Sequence, residues 1–369
     1  MILTNQIIER LLKMEKVKYG LIGFGGIAEN RIAKEGFACD KARFAELENA
    51  VLVGATDVNP ARKAAAEALN LKWYNSSEEM IADPELDAIY VATNNATHAK
   101  LAIAALKAGK HVITEKPMAT SIADARKMVE TAKKMKLSLS VDHMMTNNIY
   151  NIKARKVVAA GKLGTVNDAC FHMEFAFGYD PAEAASWRCS NIKEMGGPIG
   201  DVASHCFYVA EYVFNSTVEW VAAAYLPKLM DIKAEDGAYI KFGMANGIVA
   251  SAKVAFSEMR GGLAGTLTNL GYEIYGSDAV LRGYGTMFQL SGYEDEPIKM
   301  RLELDNGKTQ KKLAPGKVQN IYQALITKHA RSVLSKRPLN AIDGLRNLEL
   351  CDAAHKSARC GGKKISIVK

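Results

Sequence analysis

The stretch VKYGLIGFGGIA, residues 17–28, decides the fold, because an apolar run ends there in a glycine-rich turn. Similar apolar runs follow, separated by stretches with helical periodicity: AVLVGATD (50–57), LDAIYVAT (86–93), KHVITEK (110–116) and LSLSVDH (137–143). Strands that alternate with helices are typical of a parallel sheet covered by helices on both faces. We therefore predict an α/β fold class, with a doubly wound domain of the Rossmann type over residues 17–142.

The pattern changes after residue 142. Strand-like stretches at short spacing follow, and Asn246-Gly247 and Asn306-Gly307 have the composition of hairpin turns. Helices are predicted over about 148–161, 199–214, 318–335 and 342–358. This indicates a second, α+β domain over 143–369, built on a large and mostly antiparallel open sheet. Residues 1–16 are predicted to be an N-terminal extension.

Composition excludes several classes of protein. The net charge is +8 among 369 residues, but no lysine or arginine block is interleaved with aromatic residues, which argues against a nucleic-acid surface. The six cysteines contain no CxxC pair, so a zinc knuckle or a disulfide scaffold is not indicated. The first 16 residues lack the apolar stretch of a signal peptide or membrane span. We expect a cytoplasmic protein with reduced thiols and a small-molecule ligand.

The turn GFGGIA comprises Gly23, Phe24, Gly25, Gly26, Ile27 and Ala28. It follows the first strand and opens a helix, and glycines at these positions allow a pyrophosphate to approach the helix N-terminus. We predict a dinucleotide site here. A merely tight turn is the alternative.

Asp57 ends the second predicted strand, where an acid accepts hydrogen bonds from the adenosine ribose and disfavours a 2'-phosphate. It lies 34 residues after Gly23, a longer spacing than the usual distance of about 20, with the excess in an extended first helix and loop. The prediction is NAD, and the nearby Arg62 keeps NADP open. Asp57 could instead be a turn residue before Asn59-Pro60.

Glu115-Lys116-Pro117 ends the strand KHVITEK. Ligands of open α/β sheets bind beyond the carboxyl ends of the strands, and Pro117 restricts Lys116 to an extended backbone. An amine in such a crevice can donate a hydrogen bond to a substrate oxygen. The alternative is a surface lysine at a strand end.

The stretch GGPIGDVASH, residues 196–205, places Asp201 and His205 four residues apart, on one face of an α-helix. A carboxylate that orients an imidazole is a general-base arrangement, and the preceding glycines would let the helix start close to a ligand. Two metal ligands without a convincing third, or a capped helix with a core histidine, are the alternatives.

Taken together, GFGGIA, ATNNATHAKLAIAALKAGKHVITEKP, GGPIGDVASH and YEIYGSDAVL resemble the glucose-fructose oxidoreductase, inositol dehydrogenase and MocA (Gfo/Idh/MocA) family from about Val17 to Ile367. The resemblance implies a Rossmann domain for NAD(P) and a second domain that binds substrate and builds dimers or tetramers. It also implies that Lys116, Asp201 and His205 flank the nicotinamide as catalytic residues, without a metal. The remaining cofactor contacts would come from Thr93, Asn94, Asn95, His98, Glu115 and Pro117.

The sequence departs from the family pattern on the substrate side. Asn94 stands where the family commonly has proline, Tyr208 stands where it often has aspartate, and a common arginine after the sixth strand is absent from VDHMMTNNIY. Beside the three catalytic residues, we predict substrate contacts from His143, Asn147, Tyr150, Trp187 and Arg188. His143 is as readily explained as a core histidine.

The resemblance implies an NAD(P)-dependent dehydrogenase or reductase acting on a secondary hydroxyl or carbonyl of a sugar, polyol or related cyclic substrate. The family also includes glycosidases that retain NAD and act by transient oxidation, and nucleotide-sensing regulators without catalysis. The presence of Lys116, Asp201 and His205 argues against a regulator. The identity of the substrate and the direction of the reaction are not encoded in these motifs.

Overall fold

The computed structural model describes residues 16–258, 270–296 and 298–367, so the N-terminal extension lies outside it except for Lys16. Contacts divide the chain into two compact units. Unit 1 comprises the chain up to Ala119, Ala123–Asp142 and Tyr322–Ile342, and unit 2 comprises Thr120–Ile122, His143–Ile321 and the chain from Asp343 onward. No helix in the described ranges has the length and apolarity to cross a membrane.

Unit 1 contains a six-stranded parallel sheet. Its strands are β1 (Val17–Ile22), β2 (Ala50–Thr56), β3 (Lys72–Trp73), β4 (Ala88–Val91), β5 (His111–Thr114) and β6 (Leu139–Val141), in the spatial order β3-β2-β1-β4-β5-β6. The order reverses between β1 and β4, which makes the carboxyl ends of these strands the switch point where ligands bind in such folds. The predicted doubly wound sheet is confirmed.

Unit 2 contains a nine-stranded sheet. Its strands are β7 (Val166–Glu174), β8 (Val218–Tyr225), β9 (Gly237–Met244), β10 (Val249–Ala255), β11 (Leu270–Gly276), β12 (Val280–Tyr284), β13 (Arg301–Asp305), β14 (Gln310–Lys312) and β15 (Ile365–Ser366). The order is β14-β13-β12-β11-β7-β10-β9-β8-β15, and only β7 and β10 pair in parallel. The predicted, mostly antiparallel second sheet is therefore confirmed.

The helices surround these sheets. In chain order they are α1 (Ala28–Gly36, wound as a π-helix), α2 (Lys63–Glu67), α3 (Ser77–Ala82), α4 (Asn95–Lys107), α5 (Ile122–Met135), α6 (Ile149–Ala159), α7 (Pro181–Ala185), α8 (Trp187–Ser190), α9 (Ser204–Phe214), α10 (Ile321–Leu334) and α11 (Ile342–Arg359). A short π-helical turn, Ile199–Ala203, leads directly into α9.

Helix α10 packs on the first sheet although it follows the second in sequence. The imidazole of His329 shares a hydrogen bond of 2.7 Å with the hydroxyl of Tyr19 on β1, and the hydroxyl of Ser332 lies 2.5 Å from that of Ser138. All residues after 142 are predicted from the sequence to form one second domain. The contacts assign Tyr322–Ile342 to unit 1, because burying an apolar helix face requires a partner and this face meets the first sheet.

The two faces of the second sheet differ in polarity. On β9 and β10, Ile240, Phe242, Ala252 and Val254 are buried, and the ring of Phe242 lies 5.5 Å from that of Phe207 on α9. The opposite face of these strands carries Tyr239, Lys241, Ser251 and Lys253. Strand alternation thus turns the first set of side chains toward the helices and the second set to the opposite face.

Candidate active site

The glycine-rich turn between β1 and α1 has the geometry that a pyrophosphate requires. Gly23 has φ +90°, and a Cβ there would lie 2.6 Å from the carbonyl oxygen of Ala92, so no other residue fits without displacement. A Cβ on Gly25 or Gly26 would meet nothing within 4 Å. The turn thus leaves open space beside the N-terminus of the first helix, which fits the phosphates of a dinucleotide.

Asp57 and Arg62 brace this turn. One carboxylate oxygen of Asp57 accepts a hydrogen bond of 2.6 Å from the backbone N–H of Phe24, and the other accepts one of 2.8 Å from Asn59. The guanidinium of Arg62 donates to the carbonyl of Phe24 at 2.6 Å and pairs with Glu29. Both residues therefore stabilise the glycine-rich turn. The sequence did not predict this role, because their partner is the backbone of Phe24, which is distant in sequence.

The residues after β4 form the next edge of this site. Asn94 accepts a hydrogen bond of 2.9 Å from the Thr97 hydroxyl, and α4 begins at Asn95. His98 is buried, with Nδ1 2.8 Å from the carbonyl oxygen of Pro117 and Nε2 3.1 Å from that of Thr93. Burial lowers the pKa of His98. Its ring lies between the loops after β4 and β5, and the single N–H of the neutral imidazole donates to one of the two carbonyls, so His98 supports the site from within.

Glu115 and Lys116 directly follow β5 and lie beside a group of buried polar side chains. The Tyr90 hydroxyl donates a hydrogen bond of 2.6 Å to the buried carboxylate of Asp142. The pKa of Glu115 lies well above its ordinary value because burial disfavours the charged form and because Asp142 adds negative charge. Lys116 is partly exposed, and its peptide bond to Pro117 is cis. Unit 1 thus gathers all the predicted cofactor residues at the carboxyl ends of its strands.

In unit 2, the glycines of the stretch 196–205 allow close packing of the backbone. A Cβ on Gly196 would lie 2.5 Å from the carbonyl oxygen of Trp187, and one on Gly200 would lie 2.2 Å from that of Met195. Gly197 has φ +82° and lies directly over the carboxylate of Glu235. Protein atoms occupy the space that side chains at these positions would need, so glycine is required here for the close packing of the backbone.

Asp201 and His205 each have a side-chain partner within hydrogen-bond distance. A carboxylate oxygen of Asp201 accepts a hydrogen bond of 3.2 Å from Nε of Arg188, whose guanidinium lies over the ring of Trp187. Nδ1 of His205 lies 2.6 Å from the hydroxyl of Tyr208. Asp201 belongs to the π-helical turn, and the wider winding of a π-helix alters the α-helical four-residue alignment on which the predicted pair depends.

Tyr208 connects His205 with a second histidine. The His143 ring stacks on Tyr208 with centroids 4.3 Å apart, and Nδ1 of His143 lies 2.9 Å from a carboxylate oxygen of Asp343. The Tyr208 hydroxyl donates to the sulfur of Met144 at 3.7 Å. Either partner can donate in the His205–Tyr208 bond, and when Nδ1 donates, Nε2 of His205 is the basic nitrogen. The rings of His143 and His205 both contact Tyr208.

Sequence reasoning treated Tyr208 only as a departure from the family and did not identify Asp343. The spacing of three residues between His205 and Tyr208 on one helix was the available signal. Among the other predicted substrate residues, Asn147 bonds the backbone of Ile321, and burial raises the pKa of Tyr150.

Comparison with known proteins agrees with this geometry. The sequence profile described as "Oxidoreductase family, NAD-binding Rossmann fold" matches residues 17–143, and the profile "GFO/IDH/MocA C-terminal domain" matches residues 151–282. The chain is a member of the Gfo/Idh/MocA oxidoreductase family. The resemblance that its motifs indicated is confirmed.

Several members of the Gfo/Idh/MocA family are similar to this chain. The 1,5-anhydro-D-fructose reductase of Ensifer adhaerens is 29% identical over 258 residues, which cover 69% of this chain and 72% of that protein. The myo-inositol 2-dehydrogenase of Thermotoga maritima is 28% identical over 245 residues, covering 65% and 67% respectively. The structure of an aldose-aldose oxidoreductase from Caulobacter crescentus, complexed with glycerol, has a TM-score of 0.81 at 23% identity, covering 96% of this chain and 100% of that one.

As a Gfo/Idh/MocA protein, the chain is an oxidoreductase with an NAD-binding Rossmann fold. The first profile spans all six strands of the parallel sheet and the glycine-rich turn. The second spans Asp201, His205 and Tyr208. The predicted cofactor and acid-base residues therefore lie in segments that the family profiles match.

Proposed function

We propose that this protein is an NAD(P)-dependent dehydrogenase or reductase that transfers hydride between the nicotinamide and a secondary hydroxyl or carbonyl of a sugar, polyol or related cyclic substrate. The observation that carries the proposal is the buried His205–Tyr208 pair, and we propose that Nδ1 of His205 donates in it, which makes Nε2 the basic nitrogen. Relatives named as an anhydro-sugar reductase and an inositol dehydrogenase support the substrate class.

In the proposed reaction, a bound nicotinamide supplies the hydride acceptor or donor. His205 takes the hydroxyl proton at Nε2 during oxidation and returns it during reduction. Lys116 donates a hydrogen bond to the substrate oxygen and stabilises negative charge on it. Asp201 accepts a hydrogen bond from Arg188. It places a carboxylate in the π-helical turn that precedes α9, the helix of His205. Substrate contacts are proposed for His143, Asn147, Tyr150 and Trp187.

We propose NAD as the preferred cofactor. Asp57 lies at the glycine-rich turn with both carboxylate oxygens directed toward backbone N–H groups, so a 2'-phosphate brought to the end of β2 would meet its negative charge. Arg62 lies at the same turn but is already paired with Glu29, which reduces the positive charge available to a phosphate.

We propose that unit 1 binds the cofactor, that unit 2 binds the substrate and that the protein assembles as a homodimer or homotetramer in the cytoplasm. All six cysteines are thiols, as expected in a reducing compartment. The exposed aromatic side chains of Tyr239 and Tyr275 on the second sheet are suited to a contact between subunits. Light scattering tests the assembly, and a 40.1 kDa mass at micromolar concentration would contradict it.

The reaction is tested by incubating the purified protein with a panel of sugars, inositols and anhydro-sugars, with NAD or NADP, while the absorbance of the reduced cofactor is recorded. We expect stereoselective reduction of NAD with at least one cyclic polyol or sugar. The His205→Ala variant serves as the control, since activity that it retains does not arise from this site. Hydrolysis of a glycoside with no net cofactor reduction would replace the proposal by the NAD-retaining glycosidase.

A further inference from the structure

A cluster of polar side chains lies on the second sheet, on the face opposite helix α9. Cys170, His172 and Glu174 occupy alternate positions of β7, so their side chains point to the same side. On the neighbouring strand β11, Glu273 pairs directly with Cys170 and lies diagonally across from His172. We call these four residues the β7–β11 cluster. Its members are not assigned to the reaction proposed above.

Three members of the β7–β11 cluster bring metal-binding atoms together. The thiol of Cys170, a ring nitrogen of His172 and a carboxylate oxygen of Glu273 all lie within 4.8 Å of one another. Nε2 of His172 is 3.1 Å from a carboxylate oxygen of Glu273. Ligands of a tetrahedral zinc ion are separated by roughly 3.3–3.8 Å, given the usual bond lengths. Small side-chain rotations, with release of the protons on the Cys170 thiol and on Nε2 of His172 to solvent, therefore place the three atoms around one ion.

Glu174 provides an independent indication of a ligand. Its side chain is only 2% exposed, and one carboxylate oxygen lies 3.1 Å from Nδ1 of His172. The other oxygen has no hydrogen-bond partner among the described residues. A carboxylate that accepts from one nitrogen of a histidine directs the other nitrogen toward a metal, as in the carboxylate–histidine–zinc arrangement. Here that other nitrogen is the one that faces Glu273.

The charges of the cluster match a divalent cation. With Cys170 as thiolate, the two glutamates and the sulfur provide three negative charges. Lys253, which pairs with His172 across the parallel strand β10, adds one positive charge and binds Glu258 at 2.7 Å. Because Glu258 already compensates Lys253, a dication would reduce the net charge of these groups from −3 to −1, which lowers the cost of partial burial.

We propose that the β7–β11 cluster is a zinc-type metal site, with Cys170, His172 and Glu273 as ligands and Glu174 as the residue that positions His172. Sulfur, imidazole and carboxylate together favour Zn²⁺ over Mg²⁺ or Ca²⁺, which prefer oxygen ligands. Three protein ligands leave a fourth position for water. In a subunit assembly through this face, the ion would lie at the interface.

The test uses the full chain, treated with a chelator, dialysed and titrated with Zn²⁺ by calorimetry. We expect one equivalent per chain. Cys170→Ser, His172→Ala and Glu273→Gln should each weaken binding about 100-fold or more, and Glu174→Gln roughly 10- to 100-fold. Cys360→Ser is the matched control, because that thiol is exposed and lies at the end of α11.

Titration with Co²⁺ supplies a readout that a change in folding cannot imitate. A thiolate-to-cobalt charge-transfer band should appear in the native protein and in Cys360→Ser, and it should be absent from Cys170→Ser with an unchanged circular dichroism spectrum. The proposal is overturned if Zn²⁺ does not bind stoichiometrically with a Kd below about 10 μM, or if His172→Ala binds as tightly as the native chain. In that case, His172 only bridges the two glutamates as a buried ion-pair network.

Discussion

Nδ1 of His205 and the hydroxyl oxygen of Tyr208 lie 2.6 Å apart, one helical turn from each other on α9. Both side chains are buried, at 2% and 5% exposure, so the bond is not in competition with solvent. Because Tyr208 also packs against the ring of His143, its position is set by two contacts. The hydroxyl of Tyr208 thereby fixes the orientation of the His205 imidazole.

Replacing Tyr208 by phenylalanine should preserve the packing and remove only this bond. We expect kcat to fall about 10-fold, which corresponds to about 1.4 kcal/mol and to the loss of one hydrogen bond. The affinity for NAD should not change, and the pH profile of kcat should move as the support of His205 disappears. Tyr212→Phe, on the same helix, is the control. Equal kinetics of the two variants would show that Tyr208 only fills space.

Lys116 and Lys110 flank β5 at opposite ends, and replacing each of them distinguishes a catalytic from a structural role. Lys116→Met should lower turnover roughly 100-fold or more, the scale of an acid-base group, with little effect on NAD affinity. Lys110 is buried and donates to the carbonyl oxygens of Asp83 and Leu86 at 2.7 Å. Lys110→Met should therefore cost about 1–3 kcal/mol of stability and leave turnover of the folded protein intact. Thermal unfolding and steady-state kinetics distinguish the two, and near-normal turnover in Lys116→Met would remove the proposed role.

Gly25 and Gly23 of the glycine-rich turn allow a second comparison of two variants. Gly25→Val should leave the melting temperature unchanged, because a side chain there meets no protein atom within 4 Å, but it should abolish NAD binding by filling the space for the pyrophosphate. Gly23→Ala should lower the free energy of unfolding by about 1–3 kcal/mol, since its Cβ would collide with Ala92. Fluorescence titration with NADH and thermal unfolding measure both effects. Normal NADH affinity in Gly25→Val would place the cofactor elsewhere.

The role of Asp57 in cofactor preference can be measured by replacing it with serine. We expect the ratio of kcat/KM for NAD to that for NADP to fall about 10-fold or more, because the charge that repels a 2'-phosphate is removed. Binding of NAD itself should also weaken, since Phe24 loses a hydrogen-bond acceptor. An unchanged ratio, with weaker binding of both cofactors, would leave Asp57 as a brace of the loop alone.

Glu235 predicts a pH dependence of stability. Burial raises its pKa from 4.5 to about 7, although the N–H of Ile199 donates to the carboxylate. Between these values the unfolded chain ionises while the folded chain remains neutral, so the free energy of unfolding falls as pH rises from about 4.5 to 7. The fall attributable to Glu235 is at most about 3 kcal/mol.

Glu235→Gln should remove this dependence. The free energy of unfolding of the variant, relative to that of the native chain, should therefore be higher at pH 8 than at pH 5. Urea unfolding at both pH values measures the difference, and Glu48→Gln, which alters an exposed carboxylate, is the control. If both variants follow the native pH profile, Glu235 is ionised at the same pH in the folded and unfolded chain.

Local patterns in the sequence predicted the elements of unit 1 well. Apolar runs predicted β1, β2, β4, β5 and β6, and missed only β3, which has two residues. Gly109, with φ +85°, ends helix α4 as expected of a glycine at that position. These features depend on neighbouring residues alone, because backbone conformation and strand alternation are set within a few positions.

What the sequence determined by itself is therefore the α/β class, the glycine-rich turn and the identity of the candidate residues at the strand ends. Only the tertiary structure decided their partners. His143 meets Asp343 across 200 residues, and Glu273 reaches His172 across 101 residues through the register of β7 and β11. Tyr208 is near His205 in sequence, yet it also stacks on the distant His143. Strand register, helix winding and burial select among many side chains that could pair, and these quantities arise only when distant segments pack together.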